Sequence, residues 1–295
     1  MLTFTIAPTD HCRSVESFLR NILPAAPLPY LKKLVKSGHI AVNGIPAAAD
    51  ALLRLSDTVT LKESARTRQF LSGRRPELDI LYEDQWIIAF NKEPGMPVHR
   101  AAEVDSRNLV EIGIRMVTER GGIGKLRPVN RLDRGTSGVI ITAKSAVAAA
   151  MFGRLVQDEG LDKLYLALVA GRLPEEGCIT VPLEGKEAET RYRLLVRGEK
   201  ESFVAVRPRT GRMHQIRQHF RLIGHAVLGD RRYGGRPLPG YAGIALHSFR
   251  TRLTHPSTGA ILAILAPLPS WLLDSIRSLA GASFDDVIRS LPDIP

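Results

Sequence analysis

Cysteine is nearly absent from this chain: Cys12 and Cys178 are the only two in 295 residues, and no CxxC pair occurs. That excludes a disulfide framework and a thiolate zinc site, and reduced thiols in a cytoplasm are the default for such a pattern. Nor is there a stretch of about 18 apolar residues, the length a membrane-spanning helix needs. The opening residues MLTFTIAPTDHCR lack a basic segment followed by an apolar one, so the chain is read as cytoplasmic, neither secreted nor membrane-bound. Acidic residues are also scarce: 30 Asp and Glu face 41 Lys and Arg, a net charge of +11 with a pI near 10. This balance points to a polyanionic partner, although ribosome-type binders and membrane-surface proteins share it.

Several common chemistries are missing as well. To cradle phosphates as a P-loop, Gly121 to Lys125 would need Gly at 119 and Ser or Thr at 126, and the chain has Glu119 and Leu126. Gly135-Thr-Ser-Gly has Val139 where the second glycine of a hydrolase nucleophile elbow belongs. His214 and His219 are five apart, on different helical faces, and there is no HExxH, so no metal site is expected. Internal repeats and low-complexity tracts are absent too.

What is present suggests two domains. Ser14 caps a predicted helix with Val15, Phe18, Leu19 and Ile22 on one face. Beyond Pro24, Pro27 and Pro29, a second helix over Tyr30 to Ser37 sets Leu31, Leu34 and Val35 against Lys32, Lys33 and Lys36 and stops at Gly38. Ile40-Ala41-Val42 then meets Asn43-Gly44, a strong hairpin signal. Residues 1 to 75 hold 11 Lys and Arg against 5 Asp and Glu, or +6 of the +11. A charge run is usually a solvated face, but Lys32, Lys33 and Lys36 gather beside a tight hairpin, and RNA binding is expected of them.

Residues 63 to 77 are polar and basic and read as a linker. After it the patterns predict a hairpin from Leu78–Tyr82 and Trp86–Phe90, and helices over 107–120 and 146–158. A strand is expected over Leu164–Val169, with further strands over 178–183, 189–196 and 202–207. A helix is predicted from Met213 to Ile223, with Met213, Ile216, Phe220 and Ile223 as its apolar stripe. From Arg207 to Arg236 there are eight arginines, no lysine, and Asp230 as the only acid, a composition suited to phosphates and base stacking.

The chemistry centres on Arg127 to Ala143, RPVNRLDRGTSGVIITA. If Arg131-Leu132-Asp133 is extended, Arg131 and Asp133 share one face and Leu132 takes the other. Val139, Ile140 and Ile141 follow as a short strand fit for burial. A carboxylate is thereby held beside an arginine at the mouth of a sheet, although a lone Arg-x-Asp is more often a surface ion pair.

The same stretch resembles the second motif of the RluA family of pseudouridine synthases, Arg-Leu-Asp followed by Thr-Ser-Gly, at Arg131, Leu132, Asp133, Thr136, Ser137 and Gly138. Lys92 to His99 (KEPGMPVH), Lys163 to Ala167 (KLYLA), Thr210 to Tyr233 (TGRMHQIRQHFRLIGHAVLGDRRY) and Leu246 to Gly259 (LHSFRTRLTHPSTG) are similar to the family's other blocks, in the same order. One position departs: Asn130 stands where the family usually has His, and an amide hydrogen-bonds but does not ionise. The two-helix-then-hairpin start resembles the S4 RNA-binding domain, whose ending Gly-x-Ile/Val-x-Val-Asn-Gly matches Gly38 to Gly44. An S4 domain fused to a methyltransferase would need a Gly-rich turn after a first parallel strand, and residues 78 to 100 offer a hairpin instead.

The resemblance implies an α+β fold. An S4-like two-helix and hairpin domain would span 1–62 and a linker 63–77. A pseudouridine synthase catalytic domain, with a mixed, mainly antiparallel sheet and flanking helices, would span 78–270, leaving a C-terminal tail over 271–295. The implied reaction is isomerisation of uridine in structured RNA, ribosomal or transfer, with Asp133 as nucleophile and Arg217 paired to it. Tyr165 would pack on the flipped uracil with its hydroxyl set for proton transfer. Arg131 would fill the space left by the extruded base, Lys92 and His99 would line or support the cleft, and Arg212 and His214 would hold the RNA. No redox or phosphoryl step is involved, so no cofactor or metal is implied; no protein partner is indicated and a monomer is expected. The alternative is a binding-only protein that keeps the fold for RNA docking or assembly, and Asp133, Tyr165 and Arg217 in matching blocks speak for the enzyme.

Overall fold

The computed structural model describes residues 1–71, 77–99, 108–122 and 124–294. Strand β1 (Leu2–Thr5) leads into α1 (Val15–Ile22), where Ser14 Oγ accepts from Ser17 N as the expected cap. Helix α2 (Leu28–Lys36) buries Leu31 and Leu34 and leaves Lys32, Lys33 and Lys36 exposed. Strands β2 (Ile40–Val42) and β3 (Ile45–Pro46) turn at Asn43 and Gly44, with φ of +52° and +81°, the left-handed pair that a two-residue hairpin requires. Asn43 also ties the turn to β4 (Thr58–Leu61): Oδ1 accepts from Thr58 N and Nδ2 donates to Asp57 Oδ1, both at 2.8 Å. These strands form an antiparallel sheet in the order β1-β4-β2-β3, with Leu19, Leu31, Ile40, Val59 and Leu61 in its core.

The stretch expected as a linker is in part a helix, α3 (Ala65–Leu71). Ser64 Oγ accepts from Thr67 N, the Phe70 ring meets Tyr30 at 5.0 Å, and Arg66 lies over both rings. One cap and one aromatic anchor are enough to fold a basic segment back, which composition does not reveal; the rest of that stretch up to residue 76 lies outside the described residues.

The larger unit begins with the expected hairpin, β5 (Asp79–Glu83) and β6 (Ile87–Lys92), followed by α4 (Leu109–Glu119), β7 (Arg127–Pro128), β8 (Ser137–Ala143) and α5 (Ala146–Asp158). Then come β9 (Asp162–Ala170), β10 (Glu176–Ile179), β11 (Thr190–Arg197), β12 (Glu201–Pro208) and α6 (Gln215–Leu222). The chain closes with β13 (Leu246–Thr254), β14 (Ile261–Leu265), α7 (Ser270–Ala280) and α8 (Phe284–Ser290). The sheet runs β10-β11-β12-β9-β13-β8-β6-β5, with β14 on β13 and β7 on β8. Among the described strands the one parallel pairing is β13 with β8, which joins two antiparallel halves. It forms at Gly138, φ +109°, where a Cβ would stand 2.1 Å from Ser248 O. Only glycine lets the strands approach so closely. The Thr-Ser-Gly turn is therefore demanded by the seam of the sheet, and the Arg-Leu-Asp loop opens beside that seam.

Three sequence expectations are corrected. The strand expected over 178–183 ends at Ile179, because Pro182 has no N–H to extend a ladder. Met213 does not join the apolar stripe with Ile216 and Phe220; it precedes the helix and is 52% exposed. Residues 271–294 are no tail: Trp271, Leu272, Ile276, Ile288 and Leu291 are buried in the same core as β9, β12 and β13.

The N-terminal unit is docked on β5. Ser17 Oγ donates to Ile80 O at 2.9 Å, Arg13 Nη1 reaches both Asp79 oxygens at 2.7 and 3.0 Å, and Arg20 and Lys144 share Glu83 at 3.1 and 3.0 Å. An open sheet edge invites pairing with other chains, and α1 covers this one. His11, kept neutral by burial, donates from Nε2 to Ile288 O at 2.6 Å while its Nδ1 accepts from Leu55 N. Among the described residues no helix is long and apolar enough to cross a membrane.

Candidate active site

The loop before β8 is held by a side-chain clip. Buried Asn130 accepts from Ile141 N through Oδ1 at 2.8 Å and donates from Nδ2 to Val139 O at 3.1 Å. One amide thus replaces a strand partner of β8, and the residue that departs from the resemblance holds Arg131-Leu132-Asp133 without needing a charge.

Behind the following turn, Lys92 is completely buried, and Nζ donates to Glu93 O, Met96 O and Arg134 O at 2.9, 2.8 and 3.0 Å. Gly95 N reaches the same Arg134 carbonyl at 2.7 Å. Lys92 therefore does not line the cleft, and supports it from behind through the residue next to Asp133. Burial pulls its pKa from the ordinary 10.5 down to about 7, against the attraction of Asp133. Between those two values the unfolded chain binds the extra proton, so the stability contribution of Lys92 rises with pH across that window. Lys92→Met should remove this dependence. The wild-type denaturation midpoint minus that of the variant is expected to rise as pH climbs from 7 toward 10.5, and a difference that stays constant would contradict the buried-lysine account.

The cleft itself is lined by Arg131, Asp133, Tyr165, Arg212, His214 and Arg217, together with Lys163, Thr210 and Gln215. Asp133 Oδ2 accepts from Arg217 Nη1 at 2.8 Å. Its Oδ1 is 3.7 Å from His214 Nε2 and accepts no hydrogen bond among the described residues. One oxygen is fixed and the other is left for a ligand. Arg217 reaches the pair from α6, and the far side of its guanidinium forks onto Asp230, Nε to Oδ2 at 2.6 Å and Nη2 to Oδ1 at 2.8 Å. Burial opposes the Arg217 charge, and the two carboxylates outweigh it and raise the pKa. A planar guanidinium spreads its donors over a fork that reaches both carboxylates; the donors of a compact ammonium radiate from one atom and do not span them.

Tyr233 completes the support, with Arg217 5.0 Å above its ring and its hydroxyl 3.0 Å from His214 Nδ1. His214 has φ +53° immediately before α6, a left-handed conformation uncommon for a residue with a Cβ. That kink turns its ring toward Asp133 and puts Met213 outside. Burial lowers the His214 pKa, which keeps the imidazole neutral. Gln215 frames the loop: Oε1 accepts from Thr210 Oγ1 and Arg212 N, and Nε2 donates to Glu189 O at 2.9 Å. Tyr165 lines the cleft from β9, opposite Ser248 in register, and burial pushes its phenol above the ordinary value. A phenol held protonated serves as a packing surface and donor, and is a poor base.

Of the residues singled out in the sequence, Asp133, Tyr165, Arg217, Arg131, Arg212 and His214 meet at one cleft. Lys92 sits behind it, His99 is exposed and outside the lining, and Lys32, Lys33 and Lys36 lie on α2 in the other unit. Sequence patterns do not single out Asp230, Tyr233, Gln215 or Lys163 for a role at the site. Asp230 leaves a trace in the sequence as the sole acid among eight arginines, since a buried acid in such company must find one of them.

Comparison with known proteins gives a consistent picture. Residues 86–222 match the family described as RNA pseudouridylate synthase. The chain is 32% identical over 267 residues to the uncharacterised RNA pseudouridine synthase YlyB of Bacillus subtilis (strain 168), covering 84% of this chain and 88% of that protein. It is 30% identical over 301 residues to the ribosomal large subunit pseudouridine synthase C of Escherichia coli (strain K12), covering 91% and 93%. Among solved structures, human RNA pseudouridylate synthase domain containing 1 shares the fold at a TM-score of 0.55 and 24% identity, over 67% of this chain and 86% of that one. Human RNA pseudouridylate synthase domain containing 4 does so at 0.57 and 21%, over 68% and 92%.

Proposed function

Because the chain belongs to the RNA pseudouridine synthases of the RluA type, enzymes that isomerise uridine, we propose that it modifies particular uridines of ribosomal RNA with Asp133 as nucleophile. The observation that carries this reading is the Asp133 carboxylate in the cleft, with Oδ2 held by Arg217 and Oδ1 3.7 Å from His214 Nε2, accepting no hydrogen bond among the described residues. Isomerisation breaks the N1–C1′ bond, turns the base and rejoins it through C5, and the nucleotide must leave its stack to reach the cleft. Oδ1 is the oxygen directed at that nucleotide. With Arg217 itself locked by Asp230, the carboxylate needs no reorientation as charge develops. Tyr165 packs on the uracil, Arg131 at the rim fills the vacated stack position, and Arg212 and His214 hold the flanking RNA. A binding-only protein has less use for a carboxylate oriented by an arginine in a cleft lined by further cations, since it repels the RNA phosphates.

The ribosomal assignment is supported by the name of the Escherichia coli relative and by the charge of +11. Pseudouridine mapping of ribosomal and transfer RNA from cells with and without the gene tests it. Particular ribosomal sites are expected to vanish; a map that does not change would sink the proposal, and a loss confined to transfer RNA would move the substrate. The exposed face of α2 is assigned to RNA phosphates in an S4-like role. Replacing Lys32, Lys33 and Lys36 together by Ala should lower the log–log salt slope of affinity by about 0.7 to 0.9 for each phosphate no longer neutralised. An unchanged slope would take RNA binding away from this helix.

A further inference from the structure

Lys163 is the charged side chain of the cleft that the arrangement above leaves without a task. Side chains alternate along β9, so Lys163 shares the face of Tyr165, and both line the cleft with Asp133. Arg217 is committed to two carboxylates and Arg212 Nε donates to Glu187 O. Lys163 has no hydrogen bond or ion pair among the described residues. Its sequence neighbour Asp162 belongs to the opposite face, where Arg207 lies 3.6 Å away. Burial alone acts on the Lys163 charge and lowers its pKa. Holding a partly buried cation with no acid beside it is unfavourable, and the situation is relieved when an anion enters the cleft.

The pseudouridine synthase reading, on which this inference rests, supplies such an anion. Asp133 Oδ1 either bonds C1′ as the N1–C1′ bond breaks or takes the C2′ proton; in both cases the electron pair leaves with the base, and the negative charge spreads over N1, O2 and O4 of uracil. If Asp133 instead adds to C6, the pair moves to C5 and the C4 carbonyl, and the ring is again anionic. The charge disappears when C5 bonds C1′ and the Asp133 carboxylate is restored, by release of its oxygen from carbon or return of the C2′ proton; the C5 proton then passes to solvent while N1 takes one up, which gives neutral pseudouridine. We propose that Lys163 is a further catalytic residue, whose ammonium pairs with the negative charge that develops on the uracil while Tyr165 packs on the same ring. A fixed cation aimed at developing charge favours the transition state over the ground state. It also retains the base in the cleft while it turns.

The test uses the full chain with transcribed RNA. Lys163→Met keeps the length of the side chain and removes its charge, and Lys163→Arg restores a cation. Single-turnover rate at saturating RNA and affinity across a salt series are measured for each. The Met variant is expected to lose about 10²-fold or more in single-turnover rate, with affinity and salt slope unchanged, and the Arg variant is expected to recover part of the rate. A Met variant that turns over like the wild type would overturn the proposal. So would a rate that holds at saturation while the salt slope falls by about 0.7 to 0.9, because Lys163 would then be a phosphate ligand. A wild-type chain that forms no pseudouridine on any RNA would remove the reading beneath it, a result separable from either of these.

Discussion

Asp133→Asn should abolish pseudouridine formation, by about 10⁴-fold or more in single-turnover rate, while RNA affinity stays nearly the same. The amide has the shape of the carboxylate, and its oxygen still accepts from Arg217 Nη1, now 2.8 Å from Oδ2. What it lacks is the charged oxygen that attacks or takes a proton. The fold should tolerate the change, because the Asp133 side chain is 27% exposed and Arg217 keeps its fork on Asp230. Product analysis and affinity on the same RNA check both halves of the expectation. Appreciable turnover by the Asn variant would remove Asp133 from the mechanism, and a collapse in affinity would mean that the carboxylate organises RNA binding as well.

Arg217→Leu should cost both stability and activity, for separable reasons. Asp230 is only 1% exposed and has both oxygens on Arg217. Removing the guanidinium leaves a buried charge unpaired, an effect of about 3–5 kcal/mol, read from denaturant midpoints. Arg217→Lys retains a charge, but one ammonium cannot fork onto Asp230 and also reach Asp133; an intermediate stability and little turnover are expected. The decisive variant combines Arg217→Leu with Asp230→Asn. With the stranded charge gone, most of the stability should return, yet turnover should not, because Asp133 has lost the donor that sets its direction. Recovery of turnover in the double variant would reduce Arg217 to a structural residue.

Local chemistry makes much of the fold legible. Ser14 caps its helix as the pattern suggests, Asn43-Gly44 makes its hairpin, and β8 and β9 lie where apolar runs predict strands. These features depend on neighbours within a few residues, which is the range over which periodicity, caps and turn preferences act. A local pattern misleads where it meets a distant constraint. Met213 fits a helical stripe, but the left-handed backbone at His214 takes it out of the helix. The basic stretch beyond Glu63 has the composition of a linker, but Phe70 packs on Tyr30 from α2.

Local pattern in the sequence places most of the strands and helices, the glycine at the seam, and a short set of polar residues from which the site is built. Which of those residues meet follows from the packing of distant elements. Asp133 and Arg217 are 84 positions apart and become a pair because β8 meets β13 in parallel and α6 packs beside β12. The same packing puts Lys92 behind the cleft, makes Asp230 the anchor of Arg217, and leaves Lys163 lining the cleft with no ion pair among the described residues. Whether a charge is paired, buried or open to a ligand depends on which faces of distant elements come together, and sequence spacing carries no record of that beyond the span of a single helix or strand.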